Sequence, residues 1–447
     1  MSVTRLALLD QAAFLRLRAT GQGSAVQCTW VYNRDVNIDE LRNFNIRLGS
    51  GLLGRRIERS PLPFGRHRWV VDDQSPDIVV EPRQPRSELG AWVERRARVP
   101  VDPEFGPTFH LALLPFQDGG AAVTVVSSHC IVDGLGLAIA IADAVDKKPR
   151  NLGYSQPNSR VRWLAVVQDL VGAVLGLPAA IRALIATLLI VRNSGPGPRA
   201  PAENPWRTAS DDRATLPAVT LQTDAAAWDA RARNLGGSSN TLFVAFMARL
   251  AVRMGRVAPG GSSVTAVLPV SDRAGTDDDR ANALTSITLT VDGRDAISDL
   301  RGVRADVKRR LTSLGDRPHE MLAGLPLIPY TPQWLVRRAE GIAMSTDQLP
   351  VGCSNLGSFD SGIGRIDGAE ATEVAVRLVE QGITHSRIEQ TRGQLFCATG
   401  TINGSRFLSV AAYRCGADNT AAVTRELVCS ALADLRLRAG SVYDSGH

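Results

Sequence analysis

Cysteine, aromatic residues and motif-bearing histidines are all scarce in this chain. Six cysteines stand among 447 residues, at positions 28, 130, 353, 397, 415 and 429, and no two are close enough for a Cys-x-x-Cys metal or redox site. Nothing in that usage calls for an oxidising compartment, so a reduced, cytoplasmic setting is expected. Phe, Trp and Tyr make up 5% of the chain. None is interleaved with basic runs as a nucleic-acid surface requires, which sets nucleic acid aside as a partner. No Gly-x-Ser-x-Gly elbow supports a serine hydrolase. No His-Glu-x-x-His or clustered carboxylate set supports a metal site, and no phosphate-cradling Gly-rich loop with Lys supports nucleotide hydrolysis. The opening residues, with Arg5, Asp10 and Gln11, do not read as a secretory signal. Of the six histidines, His67, His110, His319, His385 and His447 have no motif around them.

His129 is different. Residues 121–127 are apolar and β-branched and read as a buried strand; residues 135–145 are Ala- and Ile-rich and read as a helix. His129 sits on the connection between them, ahead of the Asp133-Gly134 turn signal. Loops held by rigid elements are where catalytic groups are usually placed, and a neutral imidazole there can take a proton from an alcohol or amine. The same residues also fit a satisfied polar histidine followed by a turn or an N-cap. A strand over 108–115, joined to 121–127 through Gln117-Asp118-Gly119-Gly120, forms a hairpin that delivers His129 to its end.

A chain of 447 residues, 44% hydrophobic and 21% charged, exceeds one ordinary core and suggests two domains of roughly 200 residues each. Gly195, Pro196, Gly197, Pro198, Pro201 and Pro205 mark residues 193–206 as a linker. The expected division is an N-terminal lobe over 1–195, carrying the His loop, and a C-terminal lobe over 207–447. In the second half, residues 215–221 read as a strand kept at a sheet edge by Pro217. Residues 241–255 read as a core helix capped by Ser238, Ser239 and Asn240, and Asn403-Gly404 reads as a hairpin turn between strands 394–401 and 405–412. Strands and helices interleave in both halves, which indicates α/β layering. The net charge of +6 gathers partly at Arg55-Arg56, Arg95-Arg96, Lys147-Lys148 and Lys308-Arg309-Arg310. These read mainly as solvated faces, with a minority open to coenzyme A phosphates, an acidic carrier protein or anionic lipid.

Ser128-His129-x-x-x-Asp133-Gly134 resembles the His-His-x-x-x-Asp-Gly signature of the condensation-domain and acyltransferase superfamily, with Ser128 where the first histidine stands. Leu8-Leu9-Asp10-Gln11 resembles the N-terminus of its wax ester synthase branch, and Glu104-Phe105-Gly106-Pro107 is similar to the family's lead-in to the hairpin. Leu268-Pro269-Val270-Ser271-x-Arg273, with Ala281-Asn282, resembles a further acyltransferase segment. Cys353-Ser354-Asn355-Leu356-Gly357 is similar to a stretch of alcohol acetyltransferases. The resemblance implies two chloramphenicol-acetyltransferase-like lobes in a V, with an active-site tunnel between them. It implies transfer of an acyl group from a thioester to an alcohol or amine, with His129 as general base. Asp133 would pair with Arg273, Gly134 would leave the turn room, Ser128 would keep the loop's hydrogen bonds, and Ser354 or Asn355 would donate to the oxyanion. No tightly bound cofactor or metal is implied; the co-substrate is acyl-coenzyme A or a phosphopantetheinyl acyl carrier protein. The chain is expected to act as a monomer. Two rivals stand beside this reading: a stand-alone amide-forming condensation domain, and a non-catalytic module that docks a carrier protein or a membrane.

Residues 170–191 carry one charge, Arg182, and contain Pro178. Two core-packed helices rank first for this stretch. An apolar lid or membrane-surface pair ranks second and a membrane span third, since a central Arg and Pro178 count against a span.

Overall fold

Two β-sheets organise the chain in the computed structural model, which describes residues 5–72, 76–193, 212–257, 261–314, 323–343 and 349–445. The first sheet has five strands in the order Glu373–Gln381, Gly23–Tyr32, Ala121–Ser128, Phe109–Pro115, Val79–Val80. The second has seven, in the order Val442–Asp444, Ala218–Asp224, Ser405–Tyr413, Gln394–Ile402, Val351–Ser358, Ser263–Ser271, Leu284–Asp292. The chain is therefore a mixed α/β protein of two lobes. The expected linker and lobe boundary at 193–206 fall almost wholly on residues 194–211, which lie outside the described residues.

Each sheet is sealed by amphipathic or wholly apolar helices. On the first, Leu41, Phe44 and Leu48 of helix Ile38–Gly49 and Leu137 and Ile141 of helix Gly134–Val145 pack against Cys28, Trp30, Val123 and Val125. On its other face, Trp92 and Val93 of helix Leu89–Ala97 meet Val31, Ala112, Leu114 and Ala122. On the second, helix Ser239–Arg253 is buried from Thr241 through Ala248. A helix that is apolar all round has to be enclosed. Ser238 starts it, its hydroxyl accepting from Thr241 N while Thr241 Oγ1 accepts from Ser238 N.

One strand breaks the simple division at a linker. Glu373–Gln381 lies far down the second half, yet it pairs antiparallel with Gly23–Tyr32 over nine positions, from Gly23 opposite Gln381 to Val31 opposite Glu373. The first core accordingly includes Val374, Val376, Ala398 and Phe407. Across this seam Trp30 Nε1 donates to Ile363 O at 2.8 Å and Arg34 pairs with Asp367 at 2.6 Å.

Two expectations change here. The strand after Pro217 is Ala218–Asp224, and it is not at an edge: the short strand Val442–Asp444 covers it on one side and Ser405–Tyr413 on the other. Pro217 precedes the strand and supplies only its carbonyl, to Ala412 N. The apolar stretch over 170–191 is not two core-packed helices. It belongs to one continuous helix, Arg162–Asn193, with Pro178 inside it. Its narrow inner face carries Ala165, Asp169, Ala180 and Ala183, while Trp163 (68%), Leu175 (75%), Ile181, Ile185 and Leu188 face outward. By length and composition this helix could cross a membrane.

Candidate active site

His129 is the first residue beyond strand Ala121–Ser128, which is central in the first sheet. Its own N–H donates to Ser24 O of the neighbouring strand at 2.8 Å. Behind it, Ser128 is buried, and its Oγ accepts from Cys130 N at 3.3 Å while its carbonyl accepts from Ile131 N and Val132 N. A serine here closes the turn onto itself through its own hydroxyl. Among the described residues nothing hydrogen-bonds the His129 ring, which borders a cavity.

Asp133 is fully engaged. It caps helix Gly134–Val145, with Oδ1 accepting from Gly136 N at 2.7 Å; Oδ2 accepts from Ala283 N at 3.1 Å; and Arg273 Nη2 lies 2.8 Å from Oδ1. Both side chains of the pair are buried. Arg273 follows a strand of the second sheet and also donates to the carbonyls of Asp278, Arg280 and Ala281. Asp133 N in turn donates to Ala281 O at 2.9 Å. The His loop is thus clamped across the seam between the sheets, with the Asp133 carboxylate committed to that clamp.

Gly134 sits where a Cβ would come within 2.9 Å of Leu356 Cδ2. Leu356 is brought there by strand Val351–Ser358, whose register shifts between Asn355 and Ser358, with Gly357 at φ +77°. Irregularities of this kind re-aim side chains beside active sites, and the left-handed backbone favours glycine. Ser354 and Asn355, on the same strand, both border the cavity. Asn355 is committed elsewhere: Nδ2 donates to Asn240 Oδ1 at 2.9 Å and Oδ1 accepts from Gly357 N at 3.0 Å. The Ser354 hydroxyl has no hydrogen-bond partner among the described residues.

Four residues outside the motif brace the loop. Asn282 Nδ2 donates to both His129 O and Asp10 Oδ1, at 3.1 Å each. Asp10 also accepts from Asn282 N at 2.8 Å, and burial pushes its carboxyl up from its ordinary value against the field of Arg55. Arg55 is not on a solvated face: it is fully buried, stacks over Trp69, and donates to Ile131 O at 2.8 Å. Gly136 approaches so closely that a Cβ would lie 2.8 Å from Arg273 Nη2. In the sequence only the resemblance at Leu8-Leu9-Asp10-Gln11 and at Ala281-Asn282 hints at this shell.

The cavity at His129 holds about 470 Å³ and is walled mainly by apolar side chains, among them Leu9, Val26, Leu135, Leu284, Val376 and Phe396. A second cavity of about 500 Å³ adjoins it, sharing Leu17, Gly23, Ser24, Arg377, Leu378 and Phe396 as walls. Its lining is polar and apolar in about equal parts and includes Ser128, Arg213, Arg18 paired with Asp102, and Arg98 paired with Glu94. The two cysteines next to site residues are not thiolates: burial pushes the Cys130 thiol up to about 12, and Cys353 is raised by the same cause. Among the described residues no cluster of His, Cys, Asp and Glu could hold a metal ion.

No protein-family model matches the sequence, and no curated protein does. Solved structures do match along nearly the whole chain. Polyketide synthase associated protein 5 from Mycobacterium tuberculosis is 16% identical, with a TM-score of 0.51 over 96% of this chain and 97% of its own. Trichothecene 15-O-acetyltransferase from Fusarium sporotrichioides is 11% identical, with a TM-score of 0.58 over 97% and 94%. The first condensation domain of the calcium-dependent antibiotic synthetase is 13% identical, with a TM-score of 0.55 over 98% and 99%. At these identities the likeness establishes architecture, and the chain has the two-lobed fold shared by condensation domains and chloramphenicol-acetyltransferase-like acyltransferases.

Proposed function

We propose that this chain is an acyltransferase that moves an acyl group from a thioester to an alcohol or amine. The observation that carries the reading is the His129 imidazole, free of protein hydrogen bonds, at the wall of an apolar cavity where both lobes meet. His129 takes the proton of the acceptor O–H or N–H as its oxygen or nitrogen attacks the thioester carbonyl. The Ser354 hydroxyl donates to the oxyanion that forms, with Asn355 holding the strand in place through Asn240. On collapse the C–S bond breaks, the leaving thiolate receives the proton from His129, and ester or amide is released. No acyl-enzyme is formed, in keeping with the buried, protonated Cys130 and Cys353. Positioning supplies much of the rate: the apolar cavity takes the acyl chain, and the adjoining, more polar one, with Ser128 and Arg213, takes the arm of coenzyme A or of a phosphopantetheinyl carrier protein. No resident cofactor is needed.

The outward face of helix Arg162–Asn193 supports a peripheral contact with membrane for an otherwise cytoplasmic enzyme. The test is release of free thiol from a panel of acyl-coenzyme A and acyl-carrier donors in the presence of alcohols and amines. His129→Ala should lower turnover by about 10²–10⁴-fold with an unchanged melting temperature. Unchanged thiol release in that variant, or none from the native protein with any donor, defeats the proposal.

A further inference from the structure

A third cavity, of about 640 Å³, lies between helix Arg162–Asn193 and the body of the first lobe, apart from the two at His129. Ligand cavities typically span roughly 300–1,000 Å³ and combine apolar walls with a few placed polar groups. Here the apolar walls include Phe64, Trp69, Leu175, Pro326 and Pro329. The helix comes close because its facing residues are small: a Cβ on Gly176 would sit 2.7 Å from the Tyr330 hydroxyl, which donates to Ala173 O.

Three arginines and three aspartates line the cavity, Arg5, Arg66 and Arg280 with Asp10, Asp169 and Asp279, yet one arginine is left without a carboxylate partner. Asp279 accepts from the Tyr154 hydroxyl at 3.2 Å. Asp169 is taken by Arg160 at 3.0 Å and by the Ser60 hydroxyl at 2.6 Å, and Arg5 reaches it only at 4.0 Å. Asp10 is taken by Ala281 and Asn282. Arg280 is locked by Asp278 and Asp272. Arg66 has none of this. Among the described residues its guanidinium bonds only the carbonyl of Leu6, its buried Nε has no acceptor, and no carboxylate pairs with it. Burial, and after it the repulsion of Arg5 on the same cavity, moves its pKa below the ordinary guanidinium value against the attraction of Asp10. A guanidinium short of a carboxylate beside apolar walls suits an anion that brings its own hydrocarbon.

We propose that this cavity is a second binding site, for an amphiphile with an anionic head and an alkyl chain. The head sits between Arg66 and Arg5, and the chain lies against Trp69, Phe64 and Leu175. Asp10 is shared between this cavity and the bracing of the His129 loop, so the site is placed to report its occupancy to the catalytic one.

The test is titration calorimetry of the full chain with laurate below its micelle concentration, with dodecanol as the uncharged control, and co-sedimentation with phosphatidylglycerol and phosphatidylcholine vesicles. Laurate should bind at least tenfold more tightly than dodecanol, and Arg66→Gln should erase that difference. Ala179→Phe, which fills the chamber from the helix, should weaken laurate at least tenfold and decides the matter should Arg66→Gln fail to fold. Retention on phosphatidylglycerol vesicles that Arg66→Gln abolishes assigns the head to a bilayer lipid; laurate binding without such retention assigns it to a free amphiphile. Laurate affinity unchanged in both variants, or abolished by Leu378→Trp in the catalytic cavity while both variants bind normally, overturns the site.

Discussion

At the scale of single residues, the site depends on a buried ion pair that crosses the seam. Arg273→Met leaves the Asp133 carboxylate buried and short of its cation. Breaking a buried pair from one side costs about 3–5 kcal/mol. The loss should fall at the low end here, since Gly136 N and Ala283 N still donate to Asp133. A fall in the urea midpoint checks this, and adding Asp133→Asn should restore part of it because the orphaned charge is gone. Gly134 offers a second test. Gly134→Ala drives a methyl against Leu356 and should lower thioester turnover by pushing the strand of Ser354 away. Leu356→Ala in the same chain should recover it, whereas a backbone requirement at Gly134 would leave the double variant as slow as the single one.

At the scale of elements, the helix Arg162–Asn193 is the chain's anomaly. A soluble helix hides its large side chains and shows its small ones; this one does the reverse. Its large exposed residues contribute little to folding, so Leu175→Lys with Ile185→Lys should move the melting temperature by no more than a couple of degrees, as surface changes within about 0.5 kcal/mol do. The same pair should sharply reduce retention on lipid vesicles, measured by flotation. A large loss of stability would mean that these residues pack on the protein.

At the scale of the whole molecule, strand Glu373–Gln381 makes the lobes interdependent. A fragment ending at residue 193 lacks it and exposes the full hydrogen-bonding edge of Gly23–Tyr32, a template for aggregation. That fragment should be insoluble or unfolded by circular dichroism, and the full chain should melt in one transition. Acid should weaken the chain through His67 and His110. Burial, together with nearby Arg59 and Arg96 respectively, lowers both from 6.5 to about 4. The neutral ring is the form the fold favours. Its contribution is complete above pH 6.5 and is lost as pH falls toward 4, on the order of 3 kcal/mol for each imidazole. Melting temperatures flat between pH 7 and 4.5 would contradict this.

The apolar, β-branched run of 121–127, the turn at Gln117-Asp118-Gly119-Gly120 and the Asp133-Gly134 punctuation already determine a hairpin, a histidine at its end and a helix behind it. These follow from local backbone preference and from which faces must leave water, and both are written in neighbouring residues. The family resemblance likewise names Arg273, Ser354 and Asn355. It does not tell Ser354, whose hydroxyl is free, from Asn355, whose amide is held by Asn240. Nor does it show Arg55 as a buried brace rather than a solvated charge. The outward face of helix Arg162–Asn193 and the seating of Glu373–Gln381 in the distant sheet were equally undecided, because hydropathy records what leaves water and not what receives it. Those matters depend on partners far along the chain, 76 residues for Arg55 and Ile131 and 115 for Asn355 and Asn240, and only the tertiary structure brings them together.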